Sequence, residues 1–275
     1  MSHIFRSTLL TAAVIFANGA AWAPQAADAQ SAGATCQKTK LFAVREQQWG
    51  GSGAPLVRST YKLEGKSGFF YTSGMTIDAD GSYRAFHSIS SKGTDDLKNA
   101  GHPGNWWGLV TDSGEPTGRP VVQGPKDPAP GFYISQTGIE DTSKGNKDPR
   151  RYADADRIPY IVLSGASSQN PGATFGDYAV VYNRANKTFA YAMYGDHWPT
   201  PKVGEGSIAL AKALGIPASA RDGGIDAGVT FLVFPKSRTK PWHSDETDAE
   251  LHQEAEKVFA AWGGIEQLTA CLNEK

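Results

Sequence analysis

No sign of charge dominates this sequence: 27 Lys and Arg face 28 Asp and Glu. No broad field therefore attracts nucleic acid or an anionic membrane, although a local acidic cleft escapes such a sum. The signatures of several chemistries are also missing. There is no HExxH, no GxSxG and no phosphate-cradling glycine loop after a strand, so zinc protease, serine hydrolase and nucleotide chemistry have no foothold. His87, His102, His197, His243 and His252 are not spaced as a metal set. Asp78-Ala-Asp-Gly81 begins like a calcium loop but lacks the later ligands and the closing glutamate. A tight turn fits it better, and no metal or other cofactor is expected.

Long apolar runs are absent too. The one candidate, Leu9 to Trp22, is too short to span a bilayer. With Arg6 before it and the small residues Ala27-Asp-Ala29 after it, it reads as a cleaved signal peptide over residues 1–29. Residues 30–275 are then expected to form a single catalytic domain, secreted or periplasmic, with no membrane association after cleavage and monomeric. Cysteine is scarce: Cys36 and Cys271 lie near opposite ends of the mature chain. An oxidising compartment makes a disulfide between them the natural reading.

Glycine is plentiful, at 31 residues, and 16 prolines accompany it. They cut the chain into short apolar runs, which favours strands and loops over long helices. Expected strands are Leu41 to Arg45, Phe69 to Ile77, Trp107 to Thr111, Gly131 to Ser135 and Tyr160 to Leu163. Tyr178 to Tyr182 and Phe189 to Tyr194 read as a hairpin, and Val229 to Phe234 as a buried strand. A Gly-rich loop is expected at Gly50 to Gly53. Two helices have start signals. Ser207 can cap Ile208 to Leu214, with Gly215 ending it, and Thr247 with Glu250 makes a capping box for Asp248 to Trp262. The fold class is mainly β: a small barrel with inserted loops and a few flanking helices, with the double-psi barrel as the fold-level analogy.

The chemistry-bearing stretch runs from Tyr191 to Ser207. A strand leads into Asp196, a proline-stiffened loop follows, and Glu205 stands just before a helix. Glycoside hydrolysis needs such a pair: one carboxylic acid protonates the leaving oxygen and one carboxylate activates water or attacks carbon. Spacing alone makes the pair only a candidate, since Asp and Glu near turns are commonly solvated caps.

Ordered matches over most of the chain add to this. They comprise Met75 to Gly81, Asn99 to Gly108, Pro120 to Gln123, Pro130 to Ser135, Asp148 to Tyr152, Ile158 to Leu163, Gly176 to Tyr182, Gly204 to Ala211 and Ala260 to Gly264. In these the sequence resembles glycoside hydrolase family 75, the chitosanases. The resemblance implies endo-hydrolysis of β-1,4 bonds in chitosan or a related polysaccharide, with inversion and without a metal. It places the essential pair on Glu205 and Asp196. The sequence departs from the family pattern at Trp198, where glycine is commoner. A helix N-terminus near Glu205 would favour the ionised base, while burial by Trp198 and Tyr194 would suit Asp196 as the acid.

Asp78 and Asp80 are candidates to bind a glucosamine ammonium, and Trp106, Trp107 and Trp198 to meet sugar rings. Neighbours on a strand face opposite ways, so only one of Trp106 and Trp107 is expected in the cleft. Asp141 and Asp148 are expected to be solvated, and Arg150 and Arg151 to pair with Asp154 or Asp156. Two other classes stay open on sequence: a noncatalytic glycan-binding or wall-loosening protein, and a peptidoglycan-active enzyme.

Overall fold

The computed structural model describes residues 25–26, 36–46, 56–165, 170–200 and 202–273. The expected signal peptide, apart from the short strand β1 (Gln25–Ala26), and the glycine loop at 50–53 lie outside the described residues.

Strands β4 (Phe69–Asp78), β5 (Tyr160–Ser164), β6 (Tyr178–Asn183), β7 (Thr188–Trp198), β8 (Glu205–Ser207) and β9 (Ile225–Val233) carry the architecture. They pair in the order β4-β8-β5-β7-β6-β9, and β9 returns to β4, so the sheet closes on itself as a six-stranded barrel. Closure removes the exposed edges that an open sheet of this length would carry. A hairpin of β2 (Lys38–Glu46) and β3 (Leu56–Leu63) extends the sheet from β4.

Every residue of β5 and β6 is buried. One face of β6 fills the barrel and the other is covered by the helix α2 (Asp248–Trp262), which is why the strand reads as a continuous apolar run instead of an alternating one. α2 buries Leu251, Ala255, Phe259 and Trp262, a stripe at helical spacing. Its capping box between Thr247 and Glu250 forms as the sequence predicts. The short helix α1 (Ile208–Ala213) starts at Ser207, whose hydroxyl accepts from the Leu210 N–H. Among the described residues no helix is long and apolar enough to cross a membrane.

A final helix α3 (Gly264–Asn273), not anticipated from sequence, carries Cys271. The predicted disulfide to Cys36 is present, with Cα atoms 4.9 Å apart across 235 residues. It ties α3 to the base of β2, where Lys38 Nζ also donates to the Cys271 carbonyl at 2.8 Å. Closing so long a loop restricts the unfolded chain. Replacing both cysteines by serine is therefore expected to lower the unfolding free energy by about 2–5 kcal/mol, read by urea unfolding. Unchanged stability would mean that the reduced chain is already restrained.

The sequence reading differs from the structure between β4 and β5. Trp107 to Thr111 and Gly131 to Ser135 are not strands. They make isolated bridges, such as Leu109 with Ser135 and Val122 with Tyr133, within a long loop region. Left-handed glycines at 101, 104, 114 and 131 turn the chain before any ladder can propagate. This region buries a small cluster of its own: Val110, Ile134 and Tyr152. Arg150 and Arg151 do serve as scaffold there, but with other partners. Arg150 meets Asp148 at 3.2 Å, and Arg151 meets Glu140 at 2.6 Å. Asp141, expected in solvent, is buried. Burial opposes its charge, yet hydrogen bonds from Ser143 and Ser244 outweigh that and hold its carboxyl well below the usual range.

Candidate active site

β5 organises the site although it contributes no carboxylate. Its Val162 pairs with Asp196 of the parallel strand β7 on one side and with Glu205 of the antiparallel strand β8 on the other. Residues paired across neighbouring strands project to the same face. Asp196 and Glu205 therefore stand on one face of the sheet with a single strand between them. Two strand spacings separate their backbones by about 9–10 Å.

This alignment depends on an irregularity. Ile161 pairs with Tyr194, but Val162 pairs with Asp196, so β7 carries one extra residue, Gly195. Without that bulge Asp196 would slip by one position and turn to the opposite face. Glycine is required there. A Cβ on Gly195 would lie 2.6 Å from Cβ and 2.7 Å from Cγ of Tyr160, whose side chain is fully buried. The strand also runs further than the sequence suggests: Asp196, His197 and Trp198 all belong to β7, and the connecting loop begins after them.

β4 adds two more acids. It runs parallel to β8 with Thr76 opposite Glu205 and Asp78 opposite Ser207, which puts Asp78 on the same face. The expected tight turn follows, with the Asp80 N–H donating to Asp78 Oδ1 at 2.8 Å. Asp80 Oδ1 accepts from Ser135 Oγ at 3.1 Å, and Tyr160 Oη donates to the Asp80 carbonyl at 2.8 Å. Carboxylate oxygens of Asp78, Asp80 and Asp196 lie within 4.8 Å of one another. Among the described residues this is the group with the geometry to hold a cation.

Burial raises all four acids, and their mutual charges add to it for Asp78, Asp80 and Asp196. Burial, then the negative charges of Glu205 and Asp196, pushes Asp78 well above the usual carboxylate range. Burial, Asp78 and Asp196 do the same to Asp80. Burial raises Asp196 to about 7, against the pull of the His197 and Gly138 amides, which both donate to Oδ1 at 2.7 and 2.9 Å. Its side chain is 14% exposed. Glu205 is also raised, chiefly by burial, but it has two groups that favour its anion. Lys202 Nζ lies 3.5 Å from Oε2, and the Trp198 indole N–H donates to the same oxygen. Lys202 rests 3.9 Å above the centre of the Trp198 ring, so the three side chains form one stack.

A family model described as "Fungal chitosanase of glycosyl hydrolase group 75" matches residues 75–271. The chain belongs to glycoside hydrolase family 75. No curated protein matches it closely enough to count as a relative. The family 75 match begins three residues before Asp78 and ends on Cys271, so it takes in the end of β4, the other five barrel strands and all four carboxylates.

Within this glycoside hydrolase the sequence-chosen residues separate. Asp78, Asp80, Asp196 and Glu205 come together. Trp107 is 52% exposed, whereas Trp106 is packed in the hydrophobic core and has no ring face to offer a sugar. Trp198 supports Glu205, and one face of its ring is taken by Lys202. Glu205 lies in β8, just before α1, and the side chains that favour its anion are Lys202 and Trp198. Sequence reading passed over Tyr160, Ser135, Gly138 and Lys202. Of these only Lys202, three residues before Glu205, left a signal. The others act through backbone groups or distant pairings.

Proposed function

We propose that this protein is an exported chitosanase that cleaves internal β-1,4 bonds with inversion, with Asp196 as general acid and Glu205 as general base. The observation that carries the reading is the placement of both carboxyls opposite Val162 in unlike surroundings. Asp196, raised to about 7, keeps a proton at weakly acidic pH. Glu205 is also raised by burial, but the side chains of Lys202 and Trp198 stand beside it and support its anion, whereas the groups that do so for Asp196 are backbone amides. Pairs of acids whose surroundings push them apart divide into acid and base roles. The gap left by the intervening strand suits two carboxyls with a water and a sugar ring between them, the arrangement of inverting enzymes.

In the reaction Asp196 gives its proton to the glycosidic oxygen as the bond to C1 breaks. Glu205 takes a proton from water as that water attacks C1 from the other face. Asp78 and Asp80 then bind the substrate ammonium. A cation among these crowded acids relieves the repulsion that raises their affinity for protons, so the site gains from a cationic ligand in particular. Residues 1–29 serve as the export signal and residues 30–275 as one catalytic domain, acting as a monomer.

Release of reducing ends from deacetylated chitosan, with NMR of the first product anomer, tests this. Chitosan cleavage giving the α-anomer is expected. Cleavage of peptidoglycan alone, binding without release, or a β-anomer product each rejects it. The pH profile has a definite sign. The acid works only while protonated, so kcat/KM is expected to fall above about pH 7 by roughly tenfold per pH unit, with the limb belonging to the coupled pair. Activity that stays level up to about pH 9 would remove Asp196 from the acid role.

A further inference from the structure

Beyond Asp196, on the side away from Glu205, lies an aromatic surface that the acid–base chemistry does not use. Phe175, just before β6, is 39% exposed. Its ring centre is 4.7 Å from that of Tyr194, which is buried, and 5.7 Å from that of His197. The His197 side chain is 47% exposed, and its Nδ1 lies 3.8 Å from Asp196 Oδ1. Gly138 locks these parts together. A Cβ there would sit 2.2 Å from Phe175 Cζ and 3.1 Å from His197 Nδ1, and the same residue's N–H donates to Asp196. Ring, amide and acid are one contiguous unit.

The strand order gives this surface a direction. In β8-β5-β7-β6, Glu205 lies two strands to one side of Asp196, and Phe175 lies three residues before the neighbouring strand on the other. An inverting enzyme places its acid at the leaving oxygen and its base across the sugar under attack. The surface beyond the acid therefore receives the leaving portion of the chain.

We propose that Phe175, with His197 beside it, forms the leaving-side subsite and stacks there against a protonated 2-amino sugar. The inference rests on the chitosan-hydrolysing reading above. An aromatic face attracts a cation held over it, and the ring of a pyranose offers an apolar face to pack on it. Lys202, a cation that would repel such a unit, stands beside Glu205 at the other end of the site, and Arg238, which donates to the Gly176 carbonyl next to Phe175, is paired with Glu246.

The test uses Phe175→Leu, which keeps apolar bulk without a π face, and Phe175→Tyr, which keeps the face. Steady-state kinetics on deacetylated chitosan oligomers are compared with melting temperatures. Phe175→Leu is expected to raise KM about tenfold with kcat nearly unchanged, and Phe175→Tyr to behave as wild type. A wild-type KM in Phe175→Leu overturns the subsite. So does a loss confined to kcat with a lowered melting temperature, which marks a packing role. If wild type leaves chitosan intact, the chitosanase reading fails and takes the subsite with it. If wild type cleaves and Phe175→Leu matches it, the subsite alone fails.

Discussion

Glu205→Ala is expected to lose about 10²–10⁴-fold in kcat on chitosan, and added azide to restore part of it as a glycosyl azide. The logic is one of which group is missing. Removing the base leaves a cavity beside C1 and an acid still able to protonate the leaving oxygen. A small anion that needs no deprotonation can enter and attack. Asp196→Ala is expected to suffer a similar loss, but azide will not help, because the leaving oxygen has no proton donor. A substrate with a good leaving group, such as an aryl glycoside, will instead recover part of the rate in that variant. Rescue of Asp196→Ala by azide and not of Glu205→Ala would exchange the two roles. Full activity in either variant would remove that residue from the chemistry. The neighbouring acids make the experiment sharper still. Asp78 and Asp80 remain in both variants, so a residual negative site cannot by itself account for a difference between them.

Gly195→Ala should disable the enzyme without touching a carboxylate. The added methyl would meet Tyr160 at 2.6 Å, and Tyr160 has no free space to enter. Either Tyr160 shifts, breaking its hydrogen bond to the Asp80 carbonyl, or β7 gives up the bulge and turns Asp196 off the shared face. Overpacking of this kind costs about 1–3 kcal/mol of stability. Displacing the acid by even about 1 Å costs on the order of 10²-fold in rate. Gly145→Ala, at a glycine with no neighbour within 4 Å, is the matched control and is expected to be neutral in both measurements. A Gly195→Ala enzyme with normal kcat would show that the bulge does not position Asp196.

The same residue marks where sequence reading runs out. α2 was legible because its capping box and apolar stripe are local, and the β6–β7 hairpin because its turn joins neighbours. The family resemblance implied a membership that the family match bears out. The placing of Asp196 opposite Glu205, however, is set by β5, more than thirty residues upstream, and by a bulge that looks in sequence like any other glycine. β8 is three residues long and has no periodicity to read. Trp106 and Trp107 could be split into core and surface by alternation, although they lie in a looped region and not on the expected strand. The sequence places Trp198 as a burying wall for Asp196, but its indole N–H turns to Glu205. That choice follows from where β8 lies in space, which no local pattern encodes.

The disulfide has one more consequence. It brings the first and last parts of the fold to within 4.9 Å. The order of the elements along the chain is thus separable from their arrangement in space. A circular permutant, joined by a short linker across that gap and opened at the exposed turn around Gly114, would interrupt no barrel strand. In such a chain α3 would be made next to β2 from the outset, and the covalent staple would span a short local loop instead of almost the whole polypeptide.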